Sequence, residues 1–396
     1  MDTDRKKIKL AIVKGDGWTE WEGKAWQELE DVLDTTVFIS RRAPYDTSSV
    51  NIKTVGLPSS DENFVLKNYF KYIKGQYKRL FGLEKKLAGF DIVQGVDLYN
   101  YYTLQAVRAK KYNPNLKVVV QVVDNMPGRF EYNYWPGFKM PPRYWRKKIN
   151  AVMAEVIEKA DLFLAITEYS ADMLRFMGVA ENRIKVLAPA IVIPDKMEKK
   201  ELFDKLQLDS SRELYLAVNR LVKEKGIYDV VYGWKMYLQE NKNTNKLLLI
   251  VGNGPEKPNL ERLIKEWGLQ EQIKIVSNVP NHLVRGLYGH AVCSILGSLP
   301  TGVWQEQFGF VLAEAISSGC PVISTYSGAI PEVVGDAGIL IPPGNYVELK
   351  NALNKMDNKD FRGQLQANCD KIKYKYSLPH YRKTLLEAYK EISPNS

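Results

Sequence analysis

Short apolar runs alternate along the chain with longer segments in which apolar residues recur at helical spacing. We predict these runs as buried strands at 8–13, 91–94, 117–123, 184–187, 214–218, 246–251, 273–276, 292–296 and 321–324. Strands of continuous apolar character that alternate with helices are typical of parallel sheets with both faces covered. The pattern therefore predicts the α/β fold class.

The first strand leads into a glycine turn. Gly15, Asp16 and Gly17 follow residues 8–13, and a helical pattern then runs through residues 25–33. A strand, a glycine turn and a helix open a nucleotide-binding fold, although the complete Gly-x-Gly-x-x-Gly pattern is absent here. Two interpretations stay open, a tight connection within the fold or a loop that approaches a ligand.

Two polar residues follow the most strongly β-branched strand. Asp124 and Asn125 come directly after residues 117–123. The functional loops of α/β proteins lie at the carboxyl ends of their strands. We therefore take Asp124 and Asn125 as candidate functional residues.

Residues 64–86 contain an apolar stripe beside a basic one. The apolar stripe consists of Val65, Tyr69, Ile73, Tyr77, Leu80 and Phe81, and the basic stripe of Lys67, Lys71, Lys74 and Lys78. This spacing predicts an amphipathic helix. Its lysine face is either an ordinary solvated surface or a contact for anionic lipid, because basic amphipathic helices lie in membrane interfaces.

Composition indicates a soluble protein with more than one domain. The 396 residues suffice for two domains with their own cores, and 45% hydrophobic with 26% charged residues is ordinary for globular proteins. No apolar run reaches the roughly 18 residues of a transmembrane helix, and the N-terminal segment lacks a signal-peptide pattern. The three cysteines, at 293, 320 and 369, indicate a reducing compartment without disulfides or a zinc site. We therefore expect a cytoplasmic protein, or one held peripherally at the inner face of a membrane.

The chain is basic, with a formal net charge of +10 and a pI near 9.1. Such a charge favours nucleic acid, anionic lipid or a phosphate-bearing substrate as partner, unless the surface is simply rich in lysine. Because no recognised nucleic-acid-binding motif is present, we expect no specific nucleic acid partner.

Two glutamates flank a glycine in the segment 305–319. Glu306 and Glu314 are eight positions apart with Gly309 between them, and the residue types predict a helix from about 308 to 319. Helix N-termini bind phosphate through unpaired N–H groups and a partial positive charge. Glu314 can accept two hydrogen bonds from a vicinal diol such as a ribose, and Glu306 can reach the other side of the same ligand. The alternative is an exposed amphipathic helix with two solvated glutamates.

Two cations follow the predicted strand at 214–218. Arg220 comes at the end of the strand and Lys225 in the following loop, so both can reach one bound anion. Such a pair neutralises a diphosphate and stabilises the charge that develops on it as a leaving group. The alternative is ordinary surface charge.

These segments resemble a known family. Residues 305–319 resemble the E-x7-E segment of retaining GT-B glycosyltransferases of family 4, the glycogen-synthase-like group. The likeness extends to 319–323, 328–334 and 338–345, to 219–227 (the family's G-R-L-x-x-x-K-G element) and to 252–255 (its G-x-G-P turn). It is specific from about 214 to 345 and faint over the first 190 residues.

The resemblance implies a GT-B architecture of two Rossmann-like domains that face a cleft. Residues 1–195 would form the acceptor-side domain, 196–375 the nucleotide-sugar domain, and 376–396 a helix that packs back on the first domain. In the family, loops at the positions of Gly15, Asp16 and Gly17, and of Asp124 and Asn125, face the cleft.

The resemblance also implies an activity, which is transfer of a sugar from a UDP- or GDP-linked donor to a glycan, lipid-linked or other acceptor with retained configuration. The catalytic residues would be Glu306, Arg220 and Lys225. The donor-binding residues would be Glu314, Phe308, Gly309, Phe310, Val311, Gly252, Asn253 and Gly254. The family needs no metal and no cofactor beyond the donor itself.

The chain departs from the family at three places. Asn219 stands where glycine is usual in the G-R-L element. Many members carry a histidine near the end of the 117–123 strand, whereas the histidines here are His282, His290 and His380. The segment 297–304 is longer than usual and contains Trp304, which predicts an unusually shaped donor-sugar pocket.

Two other functions are compatible with these residues. Nucleotide-sugar 2-epimerases share the architecture and also place carboxylates and cations around a diphosphate. A non-catalytic basic module that binds lipid or nucleic acid through residues 64–86 is the second alternative.

Overall fold

The chain folds into two compact units. A computed structural model describes residues 7–15, 23, 26–42, 50–126, 143–193, 197–242, 245–302 and 304–393. One unit consists of Met1–Ala190 together with Leu378–Ser396, and the other consists of Ile191–Ser377. The division after residue 190 lies a few residues before the domain boundary expected from the sequence.

The first unit contains a seven-stranded sheet in which every pairing is parallel. Its strands are β1 (Ile8–Val13), β2 (Leu33–Ser40), β3 (Lys53–Leu57), β4 (Ile92–Val96), β5 (Lys117–Val122), β6 (Leu162–Ala165) and β7 (Ile184–Val186). Their spatial order is β3-β2-β1-β4-β5-β6-β7, so the order reverses between β1 and β4. This is the doubly wound Rossmann order with one further strand at its edge.

Both faces of this sheet are buried. The helices of the unit include α1 (Phe64–Asn68), α2 (Leu83–Leu87), α3 (Tyr101–Arg108), α4 (Arg143–Lys159) and α5 (Glu168–Phe176). Because successive strand residues point to opposite faces, Ala11 and Val93 lie in the core beside α3 and α4, whereas Leu10 and Ile92 lie in a second core on the other face. Because both faces of each strand are buried, the strands have to be apolar at successive positions.

The second unit contains a six-stranded parallel sheet. Its strands are β8 (Glu213–Val218), β9 (Lys246–Val251), β10 (Ile273–Val276), β11 (Ala291–Leu296), β12 (Val322–Thr325) and β13 (Gly338–Ile341). Their order is β10-β9-β8-β11-β12-β13, which reverses between β8 and β11. Sheets of this kind bind ligands beyond the carboxyl ends of the strands at the reversal.

Helices cover the second sheet on both faces. They are α6 (Lys199–Lys205), α7 (Ile227–Glu240), α8 (Lys257–Glu266), α9 (Asn281–Tyr288), α10 (Phe310–Ser317), α11 (Ile330–Val334), α12 (Tyr346–Met356) and α13 (Lys359–Ile372). A short 3₁₀ turn, Lys223–Lys225, precedes α7. This turn carries Lys225, and the loop before α10 carries Glu306.

The last helix, α14 (Leu378–Ile392), belongs to the first unit. Tyr381, Leu385 and Tyr389 are buried in the core that contains Leu10. Full burial of each such side chain contributes roughly 1.5–3 kcal/mol. The Tyr389 hydroxyl also donates a hydrogen bond of 2.6 Å to Oε1 of Gln94 in the middle of the sheet. The C-terminal helix is therefore part of the first unit's core.

The apolar runs predicted most of the strands correctly. The nine strands predicted from these runs are confirmed, with ends that differ by two residues or fewer. The helical pattern assigned up to residue 33 is wrong at its end, because Leu33 begins β2 and residues 28–32 form turns. The polar sequence Asp34-Thr35-Thr36 interrupts the apolar run of β2, although threonine itself favours strands.

The single amphipathic helix predicted for residues 64–86 is wrong. The segment forms α1, a π-helical turn at Tyr69–Lys74, an irregular connection after Gly75, and α2. Leu80 is buried while Val65, from the same predicted stripe, is 74% exposed. The buried side chain of Gln105 explains the break, because it accepts from the Leu80 N–H (2.9 Å) and donates to the Leu80 carbonyl (2.7 Å).

The predicted basic stripe is also incomplete. Lys71 is buried, with its ammonium 5.0 Å from the ring centre of Tyr72 and 5.3 Å from that of Tyr77. Burial lowers the pKa of Lys71. This lysine therefore belongs to the packing of the first unit rather than to an exposed cationic surface.

Candidate active site

Four polar side chains lie in the loops where the second sheet reverses its strand order. The loop after β8 supplies Arg220 and Lys225, and the loop after β11 supplies Ser298 and Glu306. Because β8 and β11 are neighbouring parallel strands, their carboxyl ends lie at the same edge of the sheet. The fold thus places these loops at the position where related sheets bind ligands.

Lys225 and Glu306 form an ion pair in this region. The Lys225 Nζ lies 2.6 Å from Oε2 of Glu306, and the two side chains are only 17% and 10% exposed. The Ser298 hydroxyl donates a second hydrogen bond, of 2.8 Å, to the same carboxylate oxygen. The Lys225 ammonium also lies 4.9 Å from the ring centre of Trp304. The carboxylate is therefore held by a cation and a hydroxyl, in a site shielded by an indole.

A glycine contact positions Lys225. The 3₁₀ turn that carries this lysine ends at Gly226, whose φ is +61°. A methyl group on Gly226 would lie 1.8 Å from the carbonyl oxygen of Gly297, so only glycine lets the two loops touch. The Leu299 N–H donates to the Glu224 carbonyl at 2.8 Å and closes the contact. Gly226, the glycine of the segment that resembles the family's G-R-L-x-x-x-K-G element, is therefore required for the packing of these two loops.

A second glycine contact positions Glu306. Its carbonyl accepts a hydrogen bond of 3.0 Å from the Ala329 N–H. A methyl group on Gly328, whose φ is +55°, would lie 2.1 Å from that carbonyl oxygen. The Ser327 hydroxyl accepts from the Glu306 N–H at 3.4 Å. The first residues of the segment 328–334, which resembles the family, thus hold the backbone of Glu306 in place.

The helix α10 begins two residues later than expected from the sequence. Gly309, with φ +85°, is its N-cap and offers no side-chain cap. The first N–H groups of any helix lack intrahelical acceptors and favour an anion. Phe308 is buried, with its ring 4.9 Å from that of Phe310 and 5.9 Å from that of Tyr376. Phe308 can therefore contact a ligand only through its backbone.

A cavity of about 420 Å³ opens beside these loops. It is lined by Val218, Asn219, Arg220, Val251, Gly252, Asn253, Asn278, Val279, Asn281, Val284, Arg285, Val311 and Glu314. The structure thus brings together five predicted residues, namely Arg220, Gly252, Asn253, Val311 and Glu314. It leaves six outside this lining, namely Glu306, Lys225, Phe308, Gly309, Phe310 and Gly254.

Glu314 is the acidic residue of this cavity. Its Oε1 lies 3.2 Å from Nε of Arg285, and the side chains are 17% and 14% exposed respectively. Arg285 also donates a hydrogen bond of 2.9 Å to the Val192 carbonyl. Burial raises the pKa of Glu314, and Arg285 opposes this rise through its charge and its hydrogen bond.

Sequence reasoning missed Arg285. Its helix, α9, is short and buries Leu283, Val284, Leu287 and Tyr288. One arginine among such apolar neighbours was a detectable indication of a buried partner, since arginine is rarely buried without one. The position of that partner, 29 residues away, is not visible in the pattern.

The Gly252 and Gly254 turn joins two loops. Methyl groups at these glycines would lie 1.9 Å from the Asn219 carbonyl oxygen and 2.4 Å from that of Leu221. Backbone hydrogen bonds from Leu221 N–H to the Asn253 carbonyl (2.9 Å) and from Asn219 N–H to the Val251 carbonyl (3.2 Å) complete the junction. Gly252 therefore lines the cavity, whereas Gly254 supports the loops behind it.

The remaining sequence candidates belong to the first unit. Gly15 follows β1, and a methyl group on it would lie 2.9 Å from the ring of Tyr102. Asp124 and Asn125 follow β5 and are buried. Asp16 and Gly17 lie outside the described residues.

Asp97, which sequence reasoning missed, lies beside Asp124. It follows β4 in the left-handed region with φ +54°. Its Oδ1 accepts hydrogen bonds from the N–H groups of Val123 (2.9 Å) and Asp124 (3.2 Å), and Oδ2 accepts from the Tyr99 hydroxyl (3.2 Å). Burial, and then the charge of Asp124, raise the pKa of Asp97. Asp97 follows directly after β4, much as Asp124 follows β5, and this position is the sequence signal by which Asp97 could have been found.

Two features of the described residues bear on a metal ion and a membrane as partners. No three His, Cys, Asp or Glu side chains in the described part of the chain are grouped so that they could hold a metal ion. None of the described helices combines the length and apolar character needed to cross a bilayer.

Comparison with known proteins decides the family of the second unit. Residues 198–376 match the sequence profile of the family described as Glycosyl transferases group 1. The second unit carries a group 1 glycosyl transferase domain. The Lys225–Glu306 pair and the Glu314 cavity both lie within the matched residues.

Curated relatives of the group 1 domain match only part of their length. Alpha-D-kanosaminyltransferase of Streptomyces kanamyceticus is 24% identical over 248 residues, which are 60% of this chain and 62% of the relative. Alpha-monoglucosyldiacylglycerol synthase of Acholeplasma laidlawii is 26% identical over 193 residues, or 48% of this chain and 46% of the relative. The chain thus spans about half to three fifths of the length of these two relatives.

A solved structure extends the likeness to nearly the whole chain. HepE of Anabaena in complex with UDP superposes with a TM-score of 0.71 and 15% sequence identity over 97% of this chain and 100% of that one. Likeness at this identity concerns the fold. The GT-B fold predicted around the group 1 domain is confirmed.

Replacement of Gly226 by alanine should destabilise the protein more than the same change at Gly268. Both glycines have positive φ, +61° and +67°, which costs a non-glycine residue about 1–2 kcal/mol. Only Gly226 has a backbone against it, so Gly226→Ala should lose roughly 1–3 kcal/mol more through overpacking. Urea denaturation of both variants measures the difference. Equal losses would show that the contact with Gly297 is not tight.

Replacement of Asp97 by asparagine should stabilise the protein more at alkaline than at acidic pH. Because the folded-state pKa of Asp97 is raised, the wild type loses stability as pH rises through that pKa, and asparagine cannot ionise. Asparagine keeps an acceptor oxygen and tolerates the left-handed backbone. Urea denaturation at about pH 5 and about pH 8 tests this. Asp204→Asn, at an exposed site on α6, is the control, and a gain for Asp97→Asn that does not grow with pH contradicts the assignment.

Proposed function

We propose that the protein is a retaining glycosyltransferase of family 4, which moves a sugar from a nucleoside diphosphate donor to a hydroxyl group of an acceptor. The observation that supports this most directly is the Lys225–Glu306 pair at the strand reversal of the second sheet. A carboxylate at this place can hold a sugar hydroxyl, while a cation beside it can meet the diphosphate.

The nucleoside part of the donor fits the cavity that contains Glu314. Its volume of about 420 Å³ lies within the roughly 300–1,000 Å³ typical of small-molecule sites. Glu314 accepts hydrogen bonds from the ribose hydroxyls, and Gly252 and Asn253 lie beside the base. UDP and GDP are both candidates, and the UDP bound to the Anabaena relative makes UDP the first to test.

The diphosphate lies between this cavity and the Lys225–Glu306 pair. Arg220 reaches it from the cavity wall, and the N-terminus of α10 after Gly309 supplies N–H groups and a partial positive charge. Lys225 faces the same region from its 3₁₀ turn. Three positive groups therefore converge on a site that also contains the sugar-binding carboxylate.

The chemical step exchanges one C1–O bond for another on the same face of the sugar. The bond from C1 to the diphosphate oxygen breaks, and the acceptor oxygen bonds to C1 from the side on which the diphosphate leaves. The acceptor proton passes to the departing phosphate oxygen. Arg220 and Lys225 stabilise the negative charge that develops there, so no protein nucleophile and no divalent metal is required.

Acceptor recognition belongs to the first unit. A glycan or a lipid-linked sugar is the proposed acceptor class, and the Acholeplasma relative is named for a glucosylated diacylglycerol. Gly15, Asp124 and Asn125, at the carboxyl ends of β1 and β5, are the proposed contacts.

An exposed apolar patch supports attachment to an anionic membrane surface. Phe64 and Val65 on α1 are 80% and 74% exposed, and Ile73 is 55% exposed. Lys67 and Lys74 lie in the same short segment. Apolar side chains that enter the interface beside lysines that meet anionic headgroups are typical of peripheral attachment.

Replacement of Lys225 by alanine should greatly reduce the rate of sugar transfer, whereas replacement of its neighbour Lys223 should not. Both lysines lie on the same 3₁₀ turn, but Lys223 is exposed, and it is Lys225 that forms the ion pair with Glu306. Lys225→Ala should reduce kcat/KM about 10²–10³-fold, the effect of removing one preorganised electrostatic contact. Lys223→Ala should stay within about threefold, as surface charges contribute little. Product formation is measured with UDP- and GDP-sugars and a hydroxyl acceptor, with and without a chelator.

Three outcomes would contradict this proposal. Equal activity of both lysine variants would remove Lys225 from the reaction. Dependence on an added divalent metal would remove the metal-free mechanism. Conversion of UDP-GlcNAc to its 2-epimer in the absence of any acceptor would identify the epimerase alternative instead.

Replacement of Phe64 and Val65 by serine should release the protein from anionic vesicles. Loss of two apolar side chains from the interface should weaken binding at least about tenfold. Co-sedimentation with phosphatidylcholine vesicles, with and without phosphatidylglycerol, measures this. Phe176→Ser is the matched control, because Phe176 is 82% exposed on a different helix, α5. Equal losses in both variants, or no preference for anionic vesicles, would contradict attachment through this patch.

A further inference from the structure

The Glu314 carboxylate has an arginine partner that the proposed chemistry does not use. Nε of Arg285 lies 3.2 Å from Oε1 of Glu314 at the wall of the cavity. Both side chains are mostly buried, so the attraction between them is weakly screened by solvent. Such a contact is different in kind from an exposed surface pair.

Arg285 is held from two sides. Its second guanidinium contact is a hydrogen bond of 2.9 Å to the Val192 carbonyl. Its helix, α9, is fixed by the buried side chains of Leu283, Val284, Leu287 and Tyr288. The guanidinium therefore occupies a fixed position from which it can orient the Glu314 carboxylate.

A ribose site requires the charged form of Glu314. The two hydroxyls of a vicinal diol each donate a hydrogen bond, and an ionised carboxylate accepts with both oxygens. A protonated carboxyl has one oxygen that donates instead. A glutamate in a buried wall tends towards the protonated form, because burial disfavours charge. Glu314 thus needs a fixed cation in order to bind a diol at neutral pH.

We propose that Arg285 is a positioning residue for the ribose site, which keeps Glu314 ionised and oriented without itself binding the nucleotide. This inference rests on the proposed function, in which Glu314 receives the ribose. It extends that function by assigning the nucleotide affinity to a pair of residues on two helices, α9 and α10.

The groups around Glu314 set the direction of the pH effect. Arg285 and Tyr288 face it from α9, and Arg220 lines the same cavity. Burial, and then Glu314 itself, raise the pKa of Tyr288, so this phenol stays neutral. Removal of Arg285 removes the cation that lowers the pKa of Glu314. The pKa of Glu314 then rises further, and nucleotide affinity is lost at neutral pH but returns as pH increases.

The test is the affinity of the full chain for UDP and for GDP by titration calorimetry, from about pH 6.5 to about pH 9. Arg285→Met should weaken binding about 10–100-fold near pH 7 and recover towards wild type at the alkaline end. Arg285→Lys restores a cation and should return the pH profile towards that of the wild type. Glu314→Gln should bind weakly at every pH, and Arg285→Met combined with Glu314→Gln should behave like Glu314→Gln alone.

The controls separate this inference from the proposed function. Titration of the ligand phosphate is common to all variants, so the double variant corrects for it. A loss in Arg285→Met that is the same at every pH would mean that Arg285 binds the nucleotide directly, and an unchanged affinity would mean that it has no role. Either result overturns the inference while the nucleotide site stands. If the wild type binds neither nucleotide, the proposed function fails and the inference fails with it. Should Arg285→Met not fold, Arg285→Gln serves in its place.

Discussion

The Lys225–Glu306 ion pair is the contact on which the loops of the second unit depend. Two charges that are mostly removed from water lose their hydration, and their attraction offsets that loss only when the geometry is good. The geometry comes from backbone contacts that admit no side chain, at Gly226 against Gly297 and at Gly328 against Glu306. The glycines of the motifs that resemble the family are therefore requirements of the ion pair, and a bulkier residue at either contact would separate its partners.

Sequence patterns predicted the fold where local and tertiary preferences agree. Nine strands were found from their apolar runs, whereas β2, β3, β6 and β13 were not. The runs of β2 and β3 are broken by threonines and Gly56, and β6 and β13 are only four residues long. The helix expected over 64–86 failed for a different reason. Gln105, 25 residues beyond Leu80, takes both backbone hydrogen bonds that a helix would have used there. No local pattern contains that contact, and tertiary pairing overrides propensity when it supplies the same bonds.

The residues of the candidate site also fall into those that the sequence indicated and those that only the structure revealed. Glu306, Glu314, Arg220 and Lys225 could be proposed from the sequence because their residue types suit a phosphate-bearing ligand and because the surrounding segments resemble the family's motifs. Arg285, Ser298 and Asp97 were missed because each acquires its role from a partner on another element. The sequence also suggested that Arg220 and Lys225 meet one anion from two sides. In the structure Arg220 lines the cavity of Glu314, whereas Lys225 is paired with Glu306, so the two cations have different surroundings.

Each glutamate of the site thus has its own cation before any ligand arrives. Arg285 balances Glu314, and Lys225 balances Glu306. A diphosphate would add negative charge to a site in which Lys225 and Arg285 are already paired with carboxylates. Arg220, in contrast, forms no ion pair with any described residue. Arg220 and the N-terminus of α10 are then the groups best suited to receive this charge. Lys225 has to be shared between the carboxylate and the diphosphate, and a lysine, with three donors on a flexible stem, is better suited to that sharing than the planar guanidinium of an arginine.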